Sequence, residues 1–168
     1  MKKILKLKNN MLVKAFFGLI IITFLLLPSK AFAEVAETQI NGGLIEASTE
    51  FLRDLDYETW QLVAYKSSNN NQKLVLRIIG YPGNLRIDHP VPLEVESGRK
   101  KWILDDLTLL NNELVEDNRQ AAAEFDLEQL MQDLSQNRPL RLSLEGVFSE
   151  LPVPPFLVKE WRNLSTQA

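Results

Sequence analysis

The chain has no cysteine and a single histidine. Without cysteine there is no disulfide, no thiolate metal ligand, no thiol nucleophile and no cysteine to carry a lipid anchor. A metal centre is short of ligands. A nucleophile–histidine–acid triad has only His89 to draw on, and no G-x-S-x-G elbow accompanies it. Gly42-Gly43 and the stretch from Gly80 to Gly83 lack the spacing of phosphate-cradling loops. The residues therefore predict a protein without metal or cofactor and without a catalytic motif, held together by packing alone.

Positive charge is also scarce once the start of the chain is set aside. Residues 1–14 carry Lys2, Lys3, Lys6, Lys8 and Lys14 and no acid. Ala15 to Leu27 is apolar except for Gly18 and Thr23, and Ala31-Phe32-Ala33 follows. A basic start, a short apolar run and small residues at the cleavage positions are the pattern of a secretory signal peptide over residues 1–33. The run is short of the ~20 residues that a membrane-spanning helix needs. Removing it leaves 13 Lys and Arg against 22 Asp and Glu, a balance of −9 rather than −3. That surplus disfavours nucleic acid and anionic membrane surfaces. It suits an exported soluble protein with no transmembrane segment after cleavage. The 135 residues that remain are enough for one domain with a sizeable core.

Lys73 to Glu96 organises the domain. Leu74, Leu76 and Ile78 alternate with Val75, Arg77 and Ile79, so both sides of this strand are largely apolar and both are expected to be covered. Tyr81-Pro82-Gly83-Asn84 is a turn signal, with Pro presetting the second position and Gly accepting positive φ at the third. It predicts a hairpin return through Val91, Leu93 and Val95. Pro90 and Pro92 place the start of that return at a sheet edge or bulge.

Elsewhere, residues 34–47 read as a flexible arm, and residues 48–168 as a single β-rich domain. Ser48 to Arg53, Glu58 to Lys66, Lys100 to Asp105 and Leu140 to Leu144 read as strands. Ser97-Gly98 reads as a hairpin tip, and residues 111–120 as the longest loop. Leu127, Leu130, Met131 and Leu134 form one helical stripe, with Asp126 as N-cap and Asn137 and Pro139 at the end. Leu151 to Pro155 reads as a stiff connector, and Phe156 to Leu164 as a final strand or short helix. The sum is a mainly β fold: an antiparallel sandwich or partial barrel of about six to seven strands with one covering α-helix.

The pattern resembles a family found mainly in cyanobacteria, catalogued as domain of unknown function 3122. The resemblance rests on Leu52-Arg53-Asp54 before Trp60-Gln61-Leu62-Val63, on Leu76 to Gly83, and on Asp88-His89-Pro90. Phe125-Asp126-Leu127 and Pro154 to Arg162 complete it. It covers nearly all of the chain after residue 33 and brings no activity with it. It implies a cyanobacterial source and export to the periplasm or thylakoid lumen. Tyr81 stands where the pattern leads one to expect Phe.

Among candidate residues, His89 serves either a site or, as the simpler reading, a hydrogen bond that fixes its corner. Asp105-Asp106 reads as a turn cap rather than paired catalytic carboxylates. Glu160-Trp161-Arg162 reads either as a partner-binding tip or, as the favoured reading, as a core Trp flanked by a solvated ion pair. If the turn at Pro82-Gly83 folds the chain back, Tyr81 lies near Asp88 and His89, and the three form a polar-aromatic patch suited to a protein partner at a membrane, with the 111–120 loop beside it. The function expected is an exported, non-catalytic interaction or assembly module. The alternative is a carrier of a small apolar ligand in a barrel or sandwich mouth, which requires an empty apolar interior. An enzyme built on carboxylates and His89 is a third reading.

Overall fold

A computed structural model describes residues 35–40, 43–67, 73–80, 87–116 and 121–166. Residues 1–33, expected to be a signal peptide, and Tyr81-Pro82-Gly83-Asn84, expected to be a turn, lie outside them. Nine strands occur among the described residues: β1 (Val35–Ile40), β2 (Gly43–Arg53), β3 (Thr59–Lys66), β4 (Leu74–Ile79), β5 (Leu93–Ser97), β6 (Lys100–Leu104), β7 (Ala122–Asp126), β8 (Leu140–Leu144) and β9 (Phe148–Val153). A 3-10 turn at Thr108–Leu110 precedes helix α1 (Asn112–Glu116); α2 (Glu128–Asp133) and α3 (Pro155–Thr166) follow. The strands form two antiparallel sheets, β1-β2-β3-β4-β7 and β6-β5-β8-β9. The fold is sandwich-like and not a closed barrel.

The two-sided apolar pattern of β4 is explained by its position. It is an inner strand between β3 and β7. Leu74, Leu76 and Ile78 enter the main core, while Val75 joins a smaller cluster on the opposite face with Ala47, Val63 and Tyr65. The main core draws Leu62, Leu76 and Phe125 from the larger sheet and Leu93, Leu142 and Leu151 from the smaller one. Leu130, Leu157 and Trp161 close it from the helices. Trp60 and Phe148 meet edge to face across the sheets, with centroids 5.0 Å apart.

Several expectations are corrected. The β4–β5 pair is not a hairpin: β4 pairs with β3 and β7, and β5 with β6 and β8, so the chain crosses between sheets. The two prolines precede β5, which starts at Leu93 and occupies an inner position. Instead of a flexible arm over 34–47, β1 pairs with β2 from Gly43 to Ser48. The 111–120 loop contains α1. Leu151 to Val153 belongs to β9 rather than to a connector. Pro152 is tolerated there because β9 is an edge strand.

Other expectations hold. Ser97 pairs with Lys100 across a two-residue turn, and Gly98 takes φ 62°, the conformation glycine accepts most readily. The Leu127–Leu134 stripe is wholly buried. Asp126 Oδ1 accepts the Glu128 N–H at 2.9 Å, although Leu127 holds the N-cap position itself. The last segment is the helical alternative. Pro155 opens α3, where a missing N–H costs nothing, and Leu157, Val158, Trp161 and Leu164 form its buried stripe.

Candidate functional site

The larger sheet has two ends. At one, Lys66 opposes Leu74 and Val75 opposes Asp126, and α2 begins there. At the other, the β2–β3 turn leaves Arg53 and returns at Thr59, while Gln61 opposes Ile79 and Ile79 opposes Ala122. The second end carries Tyr57, the most exposed large apolar residue among those described, with Leu55 and Phe51 near it.

Asp54 builds that end. Its side chain is buried, and its Oδ1 accepts the N–H groups of Asp56 and Glu58, both at 2.9 Å. Its Oδ2 accepts the Trp60 indole N–H at 2.8 Å. The backbone adds bonds from Asp54 N to Glu58 O and from Tyr57 N to Asp54 O, and Leu55 N reaches Glu150 O on β9. Within this clamp Tyr57 takes φ 66°, a left-handed conformation that is uncommon for a bulky residue. Its side chain is 80% exposed, and those of Leu55 and Phe51 are 59% and 62% exposed. Beneath the turn, Gly80 lies against Trp60 so closely that a Cβ would sit 2.6 Å from a ring carbon. A buried carboxylate thus fixes a short turn whose tip is apolar and aromatic.

His89 sits at the same end. Its Nδ1 is 2.7 Å from Asp106 Oδ2, and its Nε2 is 3.2 Å from the Ala122 carbonyl. The two ring nitrogens thus each face an oxygen of another element. Asp106 also takes the Val91 N–H at 2.9 Å and the Thr108 N–H at 2.8 Å. Burial pushes this carboxyl up, but the bonds from Thr108, Val91 and His89 together hold it below the usual carboxylate range. His89 ties its corner to the larger sheet, and Asp106 caps the turn that follows it. Asp88 is exposed beside it. Tyr81 lies outside the described residues, so the structure brings together only two of the three residues of the expected patch.

A second polar cluster lies on the outer face of the larger sheet. The Glu124 carboxylate accepts the Tyr65 hydroxyl, the Arg77 Nε–H at 2.8 Å and the Asn111 amide at 3.1 Å on each oxygen. Arg77 also donates to the Tyr65 oxygen at 3.1 Å. Thr108 Oγ1 accepts the Glu124 N–H at 2.9 Å and donates to Asp106, which joins this cluster to His89. Burial, reinforced by Glu124, raises the Tyr65 phenol well above its ordinary range. The cluster's polar atoms satisfy one another, and its effect is to fasten the 106–116 segment onto the sheet. Sequence reasoning missed it. The available signal was a lone Arg77 in an apolar strand and a lone Glu124 between alanines and Phe125, two opposite charges in search of a partner.

The remaining candidates are structural. Trp161 is fully buried. Its neighbours do not pair with each other: Glu160 accepts from Ser48 at 2.7 Å, and Arg162 donates to Asn137 at 2.8 Å. Among the described residues no three His, Asp or Glu side chains gather as a metal site. No described helix is long and apolar enough to cross a membrane.

A family model described as a protein of unknown function (DUF3122) matches residues 33–164. The chain belongs to this family. No curated protein and no solved structure matches it. Membership of the family covers the whole sandwich, including the Asp54 turn and the His89 corner, and leaves function to be argued from them.

Proposed function

We propose that this DUF3122 protein is a non-catalytic interaction module whose contact surface is the turn end of the larger sheet. The observation that carries this reading is the Asp54-clamped turn, which holds Leu55 and Tyr57 in water at a cost in backbone strain. Such strain persists where the surroundings over-determine it, and it clusters at functional positions. Tyrosine is among the residues that dominate interface energetics, and a rigid turn loses little entropy on binding. Phe51 widens the apolar surface on the neighbouring sheet face. Asp88 and His89, at the same end, extend it with polar groups, and Tyr81 belongs to this proposed surface through its place in the sequence.

The proposal includes export. Residues 1–33 act as a signal peptide, and the domain works in the periplasm or thylakoid lumen of a cyanobacterium, against a protein partner at a membrane. The charge balance after residue 33 supports a soluble domain. The carrier alternative gains no support: the space between the sheets is filled by Leu62, Leu76, Phe125, Leu142 and their neighbours.

The test is a photo-crosslinking amino acid placed at position 57 and, as a control, at exposed position 129 on α2, at the other end of the larger sheet. The reading predicts a specific membrane-associated adduct from position 57 alone. Identical adducts from both positions, or none from position 57, overturn it.

A further inference from the structure

A second surface lies at the opposite end of the molecule, where the β5–β6 turn faces the connection from α2 to β8. We infer that the cleft there binds an acidic segment of a partner polypeptide. Its lining includes Arg99, Lys100, Trp102, Asp133 and Arg138. Lys100 Nζ stands 5.9 Å from the Trp102 ring centroid, and the Trp102 indole N–H donates to Asp133 Oδ2 at 3.0 Å, which sets the ring's orientation. Arg162 reaches the same connection through Asn137.

The charge is what sets this cleft apart. After residue 33 acids outnumber cations 22 to 13. Yet Arg99, Lys100 and Arg138 are exposed together here, and among the described residues no carboxylate lies within ion-pair distance of any of them. The one acid in the lining is engaged by the indole. Guanidinium forks match carboxylates in a bidentate geometry, and the half-buried Trp102 in the same lining offers contact area to an apolar side chain. Trp and Arg are the side chains that interface hot spots favour. Nucleic acid and anionic lipid carry charge that the surrounding acidic surface repels over larger distances, whereas a short acidic peptide meets only the cleft. The site is independent of the Tyr57 turn and makes no use of it.

Trp102 also supplies the readout. Trp60 and Trp161 are buried and Trp102 is half-exposed, so a ligand in the cleft alters the emission of Trp102. The probe is a synthetic Asp/Glu peptide with one central Leu, titrated against the full domain by fluorescence and by calorimetry. The control peptide has every acid replaced by its amide. The inference predicts binding of the acidic peptide alone, weakened by salt, and weakened at least about tenfold in an Arg99→Ser, Arg138→Ser variant. Both positions are exposed, so the variant melts as the parent does. Trp102→Phe abolishes the fluorescence change and leaves the calorimetric signal in place, weakened. Absence of heat and of any emission change refutes the inference, as does undiminished binding by the double variant. Tighter binding of a single-stranded oligonucleotide or of phosphatidylglycerol vesicles than of the peptide also refutes it.

Discussion

Replacing Asp54 by Ala removes the acceptor for three donors at once. The Trp60 indole N–H is buried, so losing its partner costs about 1–3 kcal/mol. The N–H groups of Asp56 and Glu58 belong to exposed residues, and water replaces much of what they lose, leaving about 1 kcal/mol between them. The total is about 2–4 kcal/mol, a large part of the ~5–15 kcal/mol that stabilises a typical domain. Urea denaturation, followed by Trp emission and by circular dichroism, measures it at constant slope. Asp54→Asn keeps one carbonyl oxygen and must turn its amide toward either the indole or the turn, so it falls between parent and Ala. A loss under about 0.5 kcal/mol in Asp54→Ala, with the slope unchanged, refutes the claim that this carboxylate holds the turn.

Further expectations concern the core and the buried charges. Trp161→Ala costs about 3–5 kcal/mol by denaturant midpoint, the usual range for a large core aromatic. Gly80→Ala forces its Cβ into the Trp60 ring and lowers stability by about 1–3 kcal/mol, read by thermal melting. Glu124→Ala strands Arg77 and costs about 3–5 kcal/mol, and a paired Arg77→Met, Glu124→Leu variant recovers only part of that, because the Tyr65 hydroxyl and the Asn111 amide still lack their acceptor. The pH profile has two limbs. The folded-state pKa of Asp106 is lowered, so its contribution is full above the unfolded value near ~4 and is lost as pH falls through the folded value. That of Tyr65 is raised, so its contribution is full below ~10 and is lost as pH rises above it. Melting across pH checks both, and Tyr65→Phe flattens the alkaline limb.

Much of the architecture is legible in the residues because burial writes itself into periodicity. The two-sided apolar pattern of Leu74 to Ile79 marks an inner strand. The alternation of Leu140 to Leu144 marks a strand buried on one face, and the Leu127 stripe marks a helix. What escaped was set by tertiary context. β7 starts at Ala122 inside Ala121-Ala122-Ala123, a helix-favouring run whose last two residues join a strand because β4 offers a pairing edge. The Tyr81 to Asn84 signal describes a local bend and cannot say which sheet receives the next strand. The candidate site is divided in the same way. His89 was visible as the only histidine. The clamp at Asp54 was not, because one Asp in an Asp-Leu-Asp-Tyr turn looks like any other until Trp60 folds over it.

The central claim is that Tyr57 is held in water for a partner, and Tyr57→Gly tests it most directly. Glycine accepts φ 66° without the roughly 1–2 kcal/mol that the left-handed region costs other residues, and it gives back part of that gain as unfolded-state entropy. The exposed ring contributes little burial. The account predicts a denaturant midpoint equal to the parent's or slightly above it, together with at least about a tenfold loss of the partner captured from solubilised membranes. An unchanged midpoint with the same partner captured in the same amount contradicts it.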